Sequence, residues 1–102
     1  MLTGLDPAFA ATVAETMQAL AAPSRLLILA RLRLAPCSVS TLATDVGMTQ
    51  SAVSHQLRLL RQLGLVTATR QGKMMIYELY DEHVAMLLDE AIRHSAHLRP
   101  AR

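Results

Sequence analysis

Apolar residues along this chain recur in blocks that stop and restart at proline and glycine. Asp6-Pro7 offers an N-cap followed by proline in the first helical turn, which predicts a helix running to about Ala21. Pro23 starts a second helix, Ser24 to about Ala35, which Pro36 closes. A short helix from about Ser40 to Val46 follows and stops at Gly47. Thr49 caps a fourth, Gln50 to Leu63, which Gly64 ends. The pattern then changes. Leu65 to Arg70 and Lys73 to Tyr80 flank Gln71-Gly72, as in a two-stranded hairpin with a tight turn. Asp81 caps a last helix extending to about Leu98. The expected order is ααααββα, mainly helical with a hairpin.

The fourth helix divides sharply. At 100° per residue from Gln50, the residues Gln50, Arg61, Ser54, Arg58, Ser51, Gln62 and His55 fall within about 0–140°. Leu59, Ala52, Leu63, Leu60, Val53 and Leu57 fall within about 180–340°, joined on that side by Gln56 alone. One face packs, and the other presents amides, hydroxyls, an imidazole and guanidinium groups, the chemistry that reads base edges and holds phosphates. A short helix, the tight turn Gly47-Met48-Thr49 and a polar-faced second helix make a helix-turn-helix. The hairpin, with Arg70 and Lys73 beside its turn, makes the wing. A polar face alone usually just meets solvent. Turn, face and basic wing together favour DNA.

Charge supports that reading only through its distribution. The net charge of +2 is small. Residues 50–80, however, carry Arg58, Arg61, Arg70 and Lys73 against Glu78 alone, while the segments before and after are neutral or slightly acidic. With 102 residues, 52% hydrophobic and 18% charged, residues 1–102 read as one folded domain. Phe9, Tyr77 and Tyr80 are the only aromatics, so aliphatic side chains must fill the core. Cys37, the single cysteine, excludes an internal disulfide and a CxxC motif, and reads as a structural, partly buried residue. The sequence shows neither a signal-peptide pattern nor an apolar run of membrane-spanning length, so a cytoplasmic protein without a membrane partner is expected.

The last helix carries three of the four histidines. His83, His94 and His97 share one edge of the wheel, beside an apolar stripe of Leu87, Leu98, Ala91, Val84 and Leu88 that calls for a partner. His83 and His94 are 11 residues apart, hence about 16 Å along the helix, and a metal–nitrogen bond of about 2 Å cannot join them within one helix. His94 and His97 can share an ion, and so can Asp81 and His83. If two copies pack antiparallel, each end forms a site from Asp81 and His83 of one copy and the partner's His94 and His97. Glu90 lies between the histidines and could orient one of them. Taken singly, Asp81 reads as an N-cap and each histidine as a solvated edge. The joint spacing D-x-H-x10-H-x2-H is harder to dismiss.

Two segments resemble the ArsR/SmtB family. They are Ala19-Leu20-Ala21-Ala22-Pro23-Ser24-Arg25-Leu26-Leu27-Ile28-Leu29 and Gln50-Ser51-Ala52-Val53-Ser54-His55-Gln56-Leu57-Arg58-Leu59-Leu60-Arg61, the second running into Gly64-Leu65-Val66. The likeness extends from about Val13 to Leu98. It implies a homodimeric winged helix-turn-helix repressor that leaves its operator DNA when a metal ion or another inducer binds. It further implies that Gln50, Ser51, Ser54, His55 and Arg58 lie in the major groove. The pattern of Asp81, His83, His94 and His97 is similar to the interprotomer metal site of the zinc-sensing and the nickel/cobalt-sensing members.

The sequence departs from the family in two places. Cys37-Ser38-Val39 offers one thiolate where another common family site uses a pair. Met1-Leu2-Thr3-Gly4 lacks the histidine-bearing arm of the nickel/cobalt sensors, and the tail after His97 adds no histidine. Four nitrogen and oxygen ligands suit tetrahedral Zn(II), with Ni(II) or Co(II) as the alternative if solvent or the terminal amine enlarges the shell. The main rival is a regulator of the same fold controlled by a non-metal signal. An enzyme is not expected, because a zinc hydrolase would need an open coordination position, a base and a substrate pocket. A pure dimerisation module would leave the polar face of the fourth helix unexplained.

Overall fold

The computed structural model describes residues 4–99. The elements are α1 (Pro7–Leu20), α2 (Pro23–Leu34), β1 (Cys37–Ser38), α3 (Val39–Val46), α4 (Gln50–Gln62), β2 (Val66–Gln71), β3 (Met74–Leu79) and α5 (Glu82–Leu98). Side-chain caps fix most of the helix starts. Asp6 accepts from the Phe9 N–H at 2.8 Å, Thr49 from Ala52 at 3.1 Å and Asp81 from Val84 at 3.2 Å. The end of α1 is held from outside. The Arg25 Nε and Nη2 groups donate to the carbonyls of Ala19 and Gln18 at 2.6 and 3.1 Å, and the Gln18 carbonyl also accepts the Ala21 N–H at 3.0 Å.

The wing corrects the sequence reading in two respects. It is a three-stranded antiparallel sheet of order β1-β3-β2, not a two-stranded hairpin. Cys37 and Ser38 pair with Tyr77 and Ile76. Two residues are too few to show an alternating pattern, so composition could not announce β1. Ser38 also ends the strand and caps α3, accepting from the Thr41 N–H at 3.3 Å. The turn of the hairpin is Gly72-Lys73, because Gln71 still pairs with Met74. Gly72 takes a φ of +63° and no non-glycine among the described residues has positive φ, so the turn is the II′ form that suits the strand twist.

One core joins these elements. Ile28, Leu29 and Leu32 of α2 meet Leu42 and Ala43 of α3, Val53, Leu57 and Leu60 of α4, Leu65, Val66, and Val84 and Leu88 of α5. Of the packing face assigned to α4, Val53, Leu57 and Leu60 are buried and Ala52 and Leu59 half-buried, whereas Leu63 at its end is exposed. The apolar stripe of α5 divides in two, which the sequence did not foresee. Val84 and Leu88 are covered by the protomer's own core, whereas every residue from Glu90 to Arg99 is exposed. Phe9 and Met17 of α1 and Leu27 of α2 are likewise more than half exposed.

Candidate nucleic-acid interface and metal centre

The recognition geometry starts at Gly47. Its φ of +71° is the left-handed conformation that glycine adopts without the Cβ clash, and it turns the chain from α3 into α4. Because Val53, Leu57 and Leu60 are drawn into the core, the opposite face of α4 must point outward. Gln50, Ser51, Ser54, His55 and Arg58 are all exposed. Arg70 and Lys73 are exposed at the tip of the wing. No side-chain hydrogen bond or ion pair among the described residues occupies any of these seven. Seven polar or cationic side chains thus stand free on the two elements that a winged helix brings to a duplex. Gln56, the polar residue on the apolar side, has its Oε1 buried with no hydrogen-bond partner among the described residues.

At the start of α5, Asp81 and His83 are already close. The Asp81 Oδ2 lies 3.5 Å from the His83 Nδ1, and the His83 side chain is 91% exposed. The Asp81 Oδ1 serves the cap, which leaves Oδ2 for a second role. His94 and His97, one turn apart, are exposed at the far end of the same helix. The Glu90 Oε1 accepts from the Arg93 Nη1 at 2.6 Å.

Among the described residues no three of His, Cys, Asp or Glu come close enough to hold one ion. Each end of α5 presents two donors, a carboxylate with an imidazole and a pair of imidazoles, and this nitrogen and oxygen set fits a borderline transition metal once two ends are brought together. The terminal amine, considered as an additional donor, lies outside the described residues.

Cys37 is buried, more completely than the sequence reading had it, and it stands apart from α5 in β1. Desolvation pushes its thiol above the usual range, opposed by nearby Arg31. Arg31 in turn donates through Nε to the Asp45 Oδ2 at 2.6 Å, and that hydrogen bond holds its guanidinium more firmly protonated. The sequence reading missed two ion pairs near these sites. One is Arg31 with Asp45. In the other, the Arg33 Nη2 and Nε meet the two oxygens of Asp89 at 3.0 and 3.3 Å. Their partners are 14 and 56 positions away, so local spacing carries no trace of them.

No helix among the described residues is long and apolar enough to cross a membrane. The bacterial regulatory protein arsR family matches residues 22–68. The HTH-type transcriptional regulator NmtR of Mycobacterium tuberculosis is 63% identical over 94 residues, covering 92% of this chain and 78% of that protein. The transcriptional repressor SmtB homolog of Synechocystis sp. is 43% identical over 82 residues, 80% of this chain and 62% of that one. A homodimeric winged helix-turn-helix DNA-binding domain from Mycobacterium bovis superimposes with a TM-score of 0.83 at 32% identity, covering 100% of this chain and 97% of that one. The fold is thus a winged helix-turn-helix, its machinery is that of a regulator and not of an enzyme, and the chain belongs to the ArsR family of bacterial regulatory proteins.

Proposed function

We propose that this protein is a metal-responsive transcriptional repressor that binds operator DNA as a homodimer and leaves it when a transition metal ion binds. The observation that carries the reading is the distribution of donors on α5. Asp81 and His83 stand exposed at one end, His94 and His97 at the other, and about 16 Å of helix separates them. Neither pair completes a site alone, whereas two antiparallel copies of α5 complete two. Residues 1–102 act as one unit in which α1 and α5 are the dimerisation helices. The uncovered Phe9, Met17, Leu27, Ile92 and Leu98 supply the apolar surface that such a dimer would bury.

Gln50, Ser51, Ser54, His55 and Arg58 read the major groove, and Arg70 and Lys73 hold the backbone beside it. Metal ligation by Asp81, His83 and the partner's His94 and His97 favours a dimer shape whose two recognition helices no longer match successive grooves. Four such ligands favour Zn(II). The family resemblance to nickel/cobalt sensors weighs toward Ni(II) or Co(II), which take more ligands.

The test is a titration of Zn(II), Ni(II) and Co(II) into the metal-free dimer, followed by an operator-binding assay with each ion. Release of DNA by one of them at stoichiometric loading is expected. A protein that stays monomeric at micromolar concentration, or whose DNA affinity no metal changes, would overturn the reading.

A further inference from the structure

Arg31 and Arg33 lie two positions apart on α2, so they project about 200° apart around it, to opposite sides. Arg33 reaches α5, forking onto both oxygens of Asp89 at 3.0 and 3.3 Å. Arg31 reaches α3, donating to Asp45 at 2.6 Å and to the Ala35 carbonyl at 2.9 Å, which fixes the end of α2 as well.

Both acidic partners stand at mechanically important points. Asp89 lies between the two halves of the candidate metal site, six residues after His83 and five before His94. Among the described residues it is also the last of α5 whose side chain hydrogen-bonds to another element, since Glu90 and Arg93 bond to each other. Asp45 lies two residues before Gly47, the left-handed turn that aims α4. Between the two pairs, α2 is anchored by Ile28, Leu29 and Leu32, all buried, so it moves as a rigid body or not at all.

We infer that Asp89–Arg33 and Arg31–Asp45 form the link through which binding on α5 reaches the helix-turn-helix. Arg33 and Arg31 are its positioning residues, and the inference rests on the metal-released repressor proposed above. Neither arginine is a ligand or a DNA contact. When α5 is drawn toward the partner at its ends, Asp89 pulls on Arg33, α2 shifts, and Arg31 carries the shift to Asp45 at the turn. The ion pairs are partly exposed, with side chains 43% and 39% accessible for Arg33 and Asp89 and 19% and 42% for Arg31 and Asp45. Their removal therefore leaves the fold in place while loosening the connection.

The experiment uses the full chain and measures operator affinity with and without saturating Zn(II) or Ni(II), together with metal affinity without DNA. Arg33→Met, Asp89→Asn and Asp45→Asn are each expected to shrink the metal-induced loss of DNA affinity about three- to fivefold, the size of one partly exposed ion pair. Operator affinity of the metal-free form and metal affinity of the free dimer should stay within about twofold, far below the effect of losing a ligand or a base contact. The double exchange R33D with D89R should restore the response, which a packing role would not do. If the wild-type protein releases DNA on metal binding and the variants release it equally, the link is overturned and the function stands. Failure of the exchange to restore a lost response overturns the link as well. A wild-type protein that ignores metal overturns both.

Discussion

The Asp81 Oδ2 lies 3.5 Å from the His83 Nδ1 while its Oδ1 accepts the Val84 N–H at 3.2 Å. One carboxylate thus holds the start of α5 and faces the first imidazole of that helix. The two roles separate by substitution. Asp81→Asn keeps a capping oxygen and loses the anionic ligand, so stability should hold while metal-induced release is abolished or greatly weakened. Asp81→Ala should lose the same response and about 1 kcal/mol of stability with it. Urea denaturation alongside metal titration checks both. An unchanged metal response in Asp81→Asn would remove Asp81 from the ligand set.

Recognition helix and wing should fail differently. Arg70→Ala or Lys73→Ala should weaken binding to every duplex and reduce the salt slope by about one each, because each releases roughly one counterion fewer. Ser54→Ala or His55→Ala should instead lower the preference for an inverted-repeat operator by about 1–3 kcal/mol with little change in salt slope. Binding isotherms on specific and random duplexes at several salt concentrations distinguish the two. If neither class of variant changes binding, α4 and the wing are not the DNA surface.

How legible each part was in the sequence follows from the range of the interaction behind it. Helices with a cap, a proline or a glycine at their ends fall within two residues of their expected bounds, because those signals act over one turn. The outward face of α4 was readable for the same reason, since 3.6-residue periodicity is a local property. β1 was not, because Cys37 and Ser38 become a strand only by pairing with Tyr77 and Ile76, some 40 positions away. Nor was the division of the α5 stripe, which depends on where the core stops covering Val84 and Leu88. The link between α5 and α3 was invisible too. Asp89 and Asp45 look like ordinary surface acids until the fold places Arg33 and Arg31 beside them.

Cys37 should behave as a shielded thiol. Burial raises its ionisation above the usual thiol range, so at neutral pH the nucleophilic thiolate is scarce and inaccessible. Iodoacetamide should label the native protein slowly and the urea-unfolded chain rapidly. Because the folded-state value lies above the unfolded one, this group's contribution to stability is present below pH 9 and is lost as pH rises through the raised folded value. Cys37→Ser, which puts a hydroxyl in the same buried place, should cost about 1–3 kcal/mol and leave metal binding intact. Loss of metal binding in a folded Cys37→Ser would instead make the cysteine a ligand.

If metal releases the operator, the operator must release the metal. Suppose that binding at Asp81, His83 and the partner's His94 and His97 lowers DNA affinity by some factor. The free-energy cycle closes only if operator DNA lowers metal affinity by the same factor, typically about 5- to 150-fold. Calorimetric titration of Zn(II) or Ni(II) into the free dimer and into the dimer–operator complex measures one side of the cycle, and DNA titrations with and without metal measure the other. The two factors should agree for the wild-type protein. His94→Ala should bring both close to one while operator affinity of the metal-free dimer is preserved, because His94 is exposed on α5 and lies on neither α4 nor the wing. Equal metal affinities with and without operator would mean that any bound ion is structural. The signal that lifts repression would then act elsewhere on the protein.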